Sequence, residues 1–351
     1  MKYKLLGKSG LKVSELALGT MTFGEDWGWG ASKEQSAKMF DAFAEAGGNF
    51  IDTAETYTNG TSEQFVGEFI RSERDRFVIA TKYSLNDNPT DPNAGGNHRK
   101  SMIRALEKSL DRLETDYIDV YFVHAWDGLT PIEEIMRALD DQVRLGKVLY
   151  AGFSDAPAWV VARANTMAQL RGWTPFTSIQ VQYNLVERTA ERELLPMARA
   201  LDIGVTVWSP LAGGLLTGKY NAPTSEPKRW VHESPMSAAY VTDRNLKIAQ
   251  AAIDIAYDIG HSPSQVAINW IRQKRNLAEM IPIIAGRSVD QFKDDLNCLS
   301  FELSPGHMKR LDDASAIELG FPHDFLCSGF VQKLIHGETG QLLEVKLPLA
   351  A

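Results

Sequence analysis

The stretch YIDVYFVHAWDGLTPIEEIMRALDDQVRLGKVLYAGFSD, residues 117–155, holds the decisive pattern. Its two ends, YIDVYFVH (117–124) and VLYAGFS (148–154), are nearly continuous apolar runs. Such runs suit parallel strands covered on both faces. Between them, PIEEIMRALDDQVRLG (131–146) has helical periodicity; Thr130 and Pro131 read as its N-cap and first residue, and Gly146 as its stop.

The same alternation extends in both directions. Strand-like segments are SELALG (14–19), NFID (49–52), FVIATK (77–82), SIQVQYN (178–184), VTVWSP (205–210) and MIPIIAG (280–286). In the helical segment KEQSAKMFDAFAEAG (33–47), Met39, Phe40, Phe43 and Ala46 form one stripe, ended by Gly47 and Gly48. RKSMIRALEKSLDRL (99–113) places Met102, Ile103, Leu106, Leu110 and Leu113 together. Eight strand–helix alternations predict a (β/α)8 barrel, an α/β fold of the TIM type. A doubly wound sheet is the rival, but no G-x-G-x-x-G follows the first strand. KYKLLGKSGLKVS (2–14) reads as a hairpin before the barrel. A Gly-, Pro-, Ser- and Thr-rich interruption runs from Ala212 to about Tyr240, and an extension covers about 300–351. Residues 1–351 are expected to form a single barrel domain.

Composition bounds the function. With 44% apolar and 23% charged residues among 351, the chain is globular rather than disordered. A net charge of -8 without a basic block argues against nucleic-acid and anionic-membrane partners. Cys298 and Cys327 alone make no disulfide framework and no C-x-x-C pair. Without a run of about 18 apolar residues or a signal-peptide core, the expected location is cytoplasmic.

In a barrel of this kind the reactive groups stand at the C-terminal ends of the strands. Those ends carry Thr20, Asp52, Lys82, His124, Ser154 with Asp155, Gln180 with Asn184, Ser209 and Arg287. Any one of them is the polar residue expected where a strand meets solvent; all eight strands ending so is a pattern. Tyr57, Lys82, Asp52 and His124 form a proton-transfer set. A Lys ammonium beside a Tyr phenol stabilises the phenolate and is expected to lower the phenol pKa toward neutrality. Asp52 would keep Lys82 charged and oriented, and His124 would orient a carbonyl oxygen. The hydride for such a reduction cannot come from a side chain; a reduced nicotinamide supplies it.

These residues sit in a longer series of motifs: LGTMTFG (18–24), NFIDTAETY (49–57), ATKY (80–83), YIDVYFVH, VLYAGFSD (148–155), IQVQYN (179–184), VWSPLAGGLLTGKY (207–220) and IPIIAGRSVDQFKDDL (281–296). In this order they resemble the aldo-keto reductase superfamily. The loop and tail are most similar to its aryl-alcohol dehydrogenase and potassium-channel β-subunit branches. The resemblance implies NADPH-dependent reduction of aldehydes or ketones, with Tyr57 as general acid, Lys82 and Asp52 tuning it and His124 positioning the carbonyl. It implies cofactor contacts from Gly19, Thr20, Met21 and Asp52; from Ser154, Asp155 and Gln180 at the nicotinamide carboxamide; and from Trp208 stacked on the ring. It adds Ser209, Pro210, Leu211, Gly213, Lys219 and Arg229 from the loop, and Gly286, Arg287, Gln291 and Asp295 around the adenosine 2′-phosphate. Asp155 and Asp295 stand where the family usually has Asn. An alternative within the resemblance is a cofactor-binding regulatory subunit with weak reductase activity.

The residues of the loop and the phosphate region have their own reading. Gly213 to Lys219 spells G-x-x-x-x-G-K, but Tyr220 follows where a nucleotide-triphosphatase needs Ser or Thr. The glycines instead suit close approach of backbone N–H groups to a pyrophosphate. Arg287 and Ser288 open an apparent helix, an arrangement that favours an anion such as a phosphate; the resemblance places the adenosine 2′-phosphate there and so implies NADPH over NADH. Phe23, Trp27, Trp29, Tyr83 and Trp126 lie on strand-end loops and are expected to line an apolar pocket for an aromatic or sugar-like carbonyl substrate, with Trp27, Trp126, Tyr57 and His124 touching it. GFPHDFLCSGF (320–330) is a segment positioned to close over that pocket. No metal site is expected: of seven His, only His124 ends a strand.

Overall fold

The computed structural model describes residues 1–221 and 240–343. A short antiparallel hairpin comes first, β1 (Tyr3–Leu5) and β2 (Lys12–Ser14). Eight parallel strands follow: β3 (Ala17–Gly19), β4 (Phe50–Asp52), β5 (Val78–Tyr83), β6 (Ile118–Val123), β7 (Val148–Ser154), β8 (Phe176–Gln182), β9 (Gly204–Trp208) and β10 (Met280–Ile284). They close in chain order, β10 pairing with β3. This is the (β/α)8 barrel that the alternation predicts, with the expected hairpin before it.

Helices cover the outside: α1 (Lys33–Glu45), α2 (Thr61–Ile70), α3 (Arg99–Leu113), α4 (Ile132–Arg144), α5 (Ala158–Arg171), α6 (Leu194–Ala200), α7 (Asp243–Ile259), α8 (Pro263–Gln273) and α9 (Val289–Leu296). The start of α4 differs from the sequence reading. Pro131 is the cap and Ile132 the first helical residue. Thr130 does not cap because Asp127 captures its hydroxyl (2.7 Å) and its N–H (2.9 Å).

Strand alternation sorts the core into two layers. Outward residues such as Ile51, Ile79, Tyr121, Val123, Ile179 and Val205 pack under the helices in one large cluster. Inward residues Phe50, Val78, Ala80, Val120, Phe122, Ile281 and Ile283 fill the lumen in a second cluster, which includes Leu6 and Val13 of the hairpin. The hairpin therefore stoppers the N-terminal end. Two residues beyond Phe50, Ala80 and Phe122 the inward positions turn polar, at Asp52, Lys82 and His124.

Beyond the barrel lie α10 (Pro305–Ala314), α11 (His323–Cys327) and α12 (Gly329–His336). The segment 320–330, expected to close over a pocket, carries exposed aromatic side chains. Phe321, Phe325 and Phe330 are exposed, and the segment is held by Arg192 donating to the Glu318 carbonyl (2.8 Å) and by His323 beside Glu193 (3.4 Å). No described helix is long and apolar enough to cross a membrane.

Candidate active site

Period-two alternation carries Asp52, Lys82, His124, Gln180 and Thr206 to one level at the C-terminal mouth. Lys82 ends the inward row Val78, Ala80, Lys82 of β5 and is fully buried. Its ammonium donates to Asp52 Oδ2 (2.7 Å), to the Thr53 carbonyl (2.7 Å) and to the Tyr57 hydroxyl (3.2 Å), which uses all three protons. Gln180 donates its amide to the other Asp52 oxygen (2.7 Å) and to Thr206 Oγ1 (3.3 Å). Tyr57 is half-buried in the 3-10 turn Tyr57–Gly60, and its ring stands edge-on to His124 with centroids 5.8 Å apart.

The electrostatics follow from burial. Burial works against the Lys82 charge, but Asp52 and then Tyr57 outweigh it and hold the ammonium above the ordinary Lys value. For Tyr57 the direction corrects the expectation from sequence. Removal from water pushes the phenol up, Lys82 only partly offsets this, and Asp52 adds to the rise. The Lys82 charge is shared with Asp52, so less of it acts on the phenol. His124 is pulled down to about 3, by burial first and by Lys82 second, and is neutral at physiological pH. Its Nδ1 is buried without a partner among the described residues.

Around this cluster the backbone is strained. Thr58, Asn59, Ser84, Asp155, Ser209 and Ala212 all have positive φ, and all follow a barrel strand at its C-terminal end. Such strain concentrates where a ligand is gripped. Asp155 accepts from the Trp208 indole N–H (3.1 Å), tying the ends of β7 and β9. Ser209 accepts from the Gly213 N–H (3.2 Å), and its own carbonyl accepts from Asn184 (2.9 Å). Gly213 and Gly214 are left-handed, and the Lys219 amine would lie 3.3 Å from a Cβ at Gly214. The Gly214 N–H bonds the Leu211 carbonyl, so these two glycine N–H groups close the loop on itself rather than pointing outward. Pro210 is buried and Leu211 half-buried. Arg229 lies outside the described residues.

At the end of β3, Thr20 is fully buried and spends its hydroxyl on the Asp52 carbonyl (3.0 Å) and Ser62 (2.7 Å). Gly19 is buried, Met21 half-buried and Ser154 buried. Gly286 accepts from Thr22 (2.8 Å). Arg287 is exposed before α9, whose cap Ser288 takes the Gln291 N–H (3.3 Å) while the Gln291 side chain takes the Arg287 N–H (3.2 Å). Asp295 is buried, its carboxyl pushed far up by burial and by Asp294. An exposed guanidinium, a helix start and a Gly213–Gly214 turn with no side chain in the way fit the phosphates of a nicotinamide dinucleotide.

The aromatic residues divide. Phe23 and Tyr83 are fully buried core residues, which removes them from a pocket wall; Tyr83 stacks on Tyr121 (5.2 Å) and donates to the Asn97 carbonyl (3.2 Å). Trp27 and Trp29 stay at the rim, 5.5 Å apart, with Trp27 donating to Asn59 (3.2 Å) and Arg287 lying over Trp29 (5.4 Å). Trp126 is half-buried and meets Trp159 edge-on (5.6 Å). The sequence reading missed Thr53 and Thr206. Thr206 was open to discovery, since it sits one strand over in the inward register of Gln180; the Thr53 contact is through its carbonyl, which no side chain signals. No group of three or more His, Cys, Asp or Glu able to hold a metal occurs among the described residues.

A profile of the Aldo/keto reductase family matches residues 15–316. The chain belongs to the aldo/keto reductase family. This aldo/keto reductase is 37% identical to an aryl-alcohol dehydrogenase [NADP(+)] of Phanerodontia chrysosporium, over 94% of its own length and 90% of that protein. It is 35% identical to a putative aryl-alcohol dehydrogenase of Saccharomyces cerevisiae, over 93% and 89%. It is also 35% identical to a norsolorinic acid reductase of Aspergillus flavus, over 92% and 83%. The reductase is an oxidoreductase of carbonyl and alcohol chemistry, and its family and relatives point to a nicotinamide cofactor.

Proposed function

We propose that this enzyme reduces aromatic aldehydes or ketones with NADPH, residues 1–351 acting as one catalytic unit and Tyr57 as general acid. The observation that carries the reading is the Lys82 ammonium held between Asp52 (2.7 Å) and the Tyr57 hydroxyl (3.2 Å) at the barrel mouth. When bound, the reduced cofactor supplies hydride to the carbonyl carbon. Tyr57 gives its proton to the carbonyl oxygen, and Lys82 stabilises the phenolate left behind. Burial holds the Tyr57 pKa above its ordinary value, so the phenol keeps its proton through neutral pH until a carbonyl oxygen takes it. Asp52 and the Thr53 carbonyl hold the ammonium in position. Neutral His124, beside the phenol, orients the carbonyl oxygen without contributing a second charge. Aryl substrates are supported by the relatives named for aryl alcohols and by Trp27 and Trp126 at the rim. Ser154, Asp155, Gln180 and Trp208 would hold the nicotinamide, and Arg287 would hold the 2′-phosphate.

Tyr57→Phe tests the reading, because it keeps the ring and removes the acidic proton. Turnover on 4-nitrobenzaldehyde should fall by about 10²–10⁴ while NADPH still binds. Near-normal turnover, with a deuteride isotope effect showing that chemistry limits the rate, would overturn it.

A further inference from the structure

The turn that carries Tyr57 is an unfavourable one. Thr58, Asn59 and Gly60 have φ of 45°, 56° and 98°, three successive left-handed residues of which two carry a Cβ. Something must hold it, and what lies against it is a side chain from another element. Arg112, in α3, reaches beneath the turn. Its Nη1 donates to the carbonyl of Glu55 (2.7 Å), two residues before Tyr57. At the other end of the turn, a Cβ built on Gly60 would lie 2.4 Å from the Arg112 Cζ, so the guanidinium packs on the Gly60 backbone. One cation thus touches the chain on both sides of Tyr57.

The same guanidinium is tied to the strand that carries Lys82. Glu63, fully buried in α2, accepts from Arg112 Nη1 with one oxygen (3.2 Å) and from Thr81 Oγ1 with the other (2.7 Å). Thr81 points out of the barrel and Lys82 points into it, as adjacent residues of β5 must. The relay Glu55 carbonyl–Arg112–Glu63–Thr81 therefore runs behind the Lys82–Tyr57 contact and fixes its two sides against each other. A buried carboxylate with one cationic and one hydroxyl partner is costly to keep for packing alone.

We propose that Arg112, anchored by Glu63, is a positioning residue for Tyr57: it sets the distance between the phenol and the Lys82 ammonium. The inference rests on the reading of Tyr57 as the acid. It is tested by a double-mutant cycle on the full-length enzyme. Arg112→Met should lower turnover on 4-nitrobenzaldehyde by about 10- to 100-fold, the scale of a 1 Å misplacement. The NADPH dissociation constant, read by fluorescence titration, should stay within about twofold, because none of Glu55, Arg112, Glu63 and Thr81 is among the proposed cofactor contacts. In the Tyr57→Phe background the same substitution should change turnover by less than about twofold. Thr81→Val, which cuts the relay at its far end while keeping the volume, should give a smaller loss that also vanishes in that background; it carries the test if Arg112→Met does not fold. Equal losses in the presence and absence of the Tyr57 hydroxyl would overturn the positioning role. Unchanged turnover in Tyr57→Phe alone would instead defeat the reading of Tyr57 as acid, so the two failures are told apart.

Discussion

His124 is kept neutral by its surroundings, since burial and the Lys82 charge both oppose its protonation. That has a thermodynamic sign. Its folded pKa, about 3, lies below the ordinary value of 6.5, so the unfolded chain takes up the proton first. Stability is therefore lost as pH falls from about 6.5 toward 3. His124→Gln should flatten the dependence of urea-unfolding free energy on pH between 6.5 and 4, and an unchanged slope would show that His124 is not buried in its neutral form. At this scale the sequence was informative about identity and poor about environment. Tyr57, Lys82, Asp52 and His124 were legible because they end strands or follow one closely. The direction of the Tyr57 shift was not, because it depends on how much water the fold removes from the phenol. Phe23 and Tyr83 misled for the same reason: an aromatic at a strand end looks alike whether it lines a cavity or completes the core.

Among the elements, α9 is the one that the proposed function ties to cofactor choice. Ser288 caps it, and Arg287 stands just before its positive end. Stacking over Trp29 (5.4 Å) already orders the guanidinium. Arg287→Ala should weaken NADPH binding by about 10–150-fold, the equivalent of a charge-assisted bond of about 1.5–3 kcal/mol, and leave NADH nearly unaffected. Equal losses for both cofactors in a titration would remove Arg287 from the phosphate. Element boundaries were mostly readable: α3 spans the residues its apolar stripe marks, and β7 the run VLYAGFS. β8 begins earlier than its apolar run suggests, at Phe176, because pairing with Ala151 and Gly152 extends it. A capping competition such as that of Asp127 with Thr130 is invisible to periodicity.

Closure of the whole molecule depends on contacts that no local pattern announces. Glu15, just before the first barrel strand, is ion-paired with Arg272 of α8 (2.7 Å), and both side chains are buried. Arg272 also donates to the Cys298 carbonyl (2.8 Å). Breaking a buried pair from one side leaves the other charge stranded. Glu15→Gln should lower the urea-unfolding free energy by about 3–5 kcal/mol without altering NADPH affinity. A midpoint like that of the parent protein would mean the pair contributes nothing to closure.

The stopper formed by Leu6 and Val13 has a consequence for proton traffic. Below Lys82 the lumen is packed with Phe50, Phe122, Ile281 and their neighbours, and the three ammonium protons are committed. No chain of water molecules threads such a filling. On the proposed reading, any proton that Tyr57 gives up is replaced from the open end, along the route by which small molecules come and go. Recharging the phenol and clearing the doorway are then successive uses of one passage.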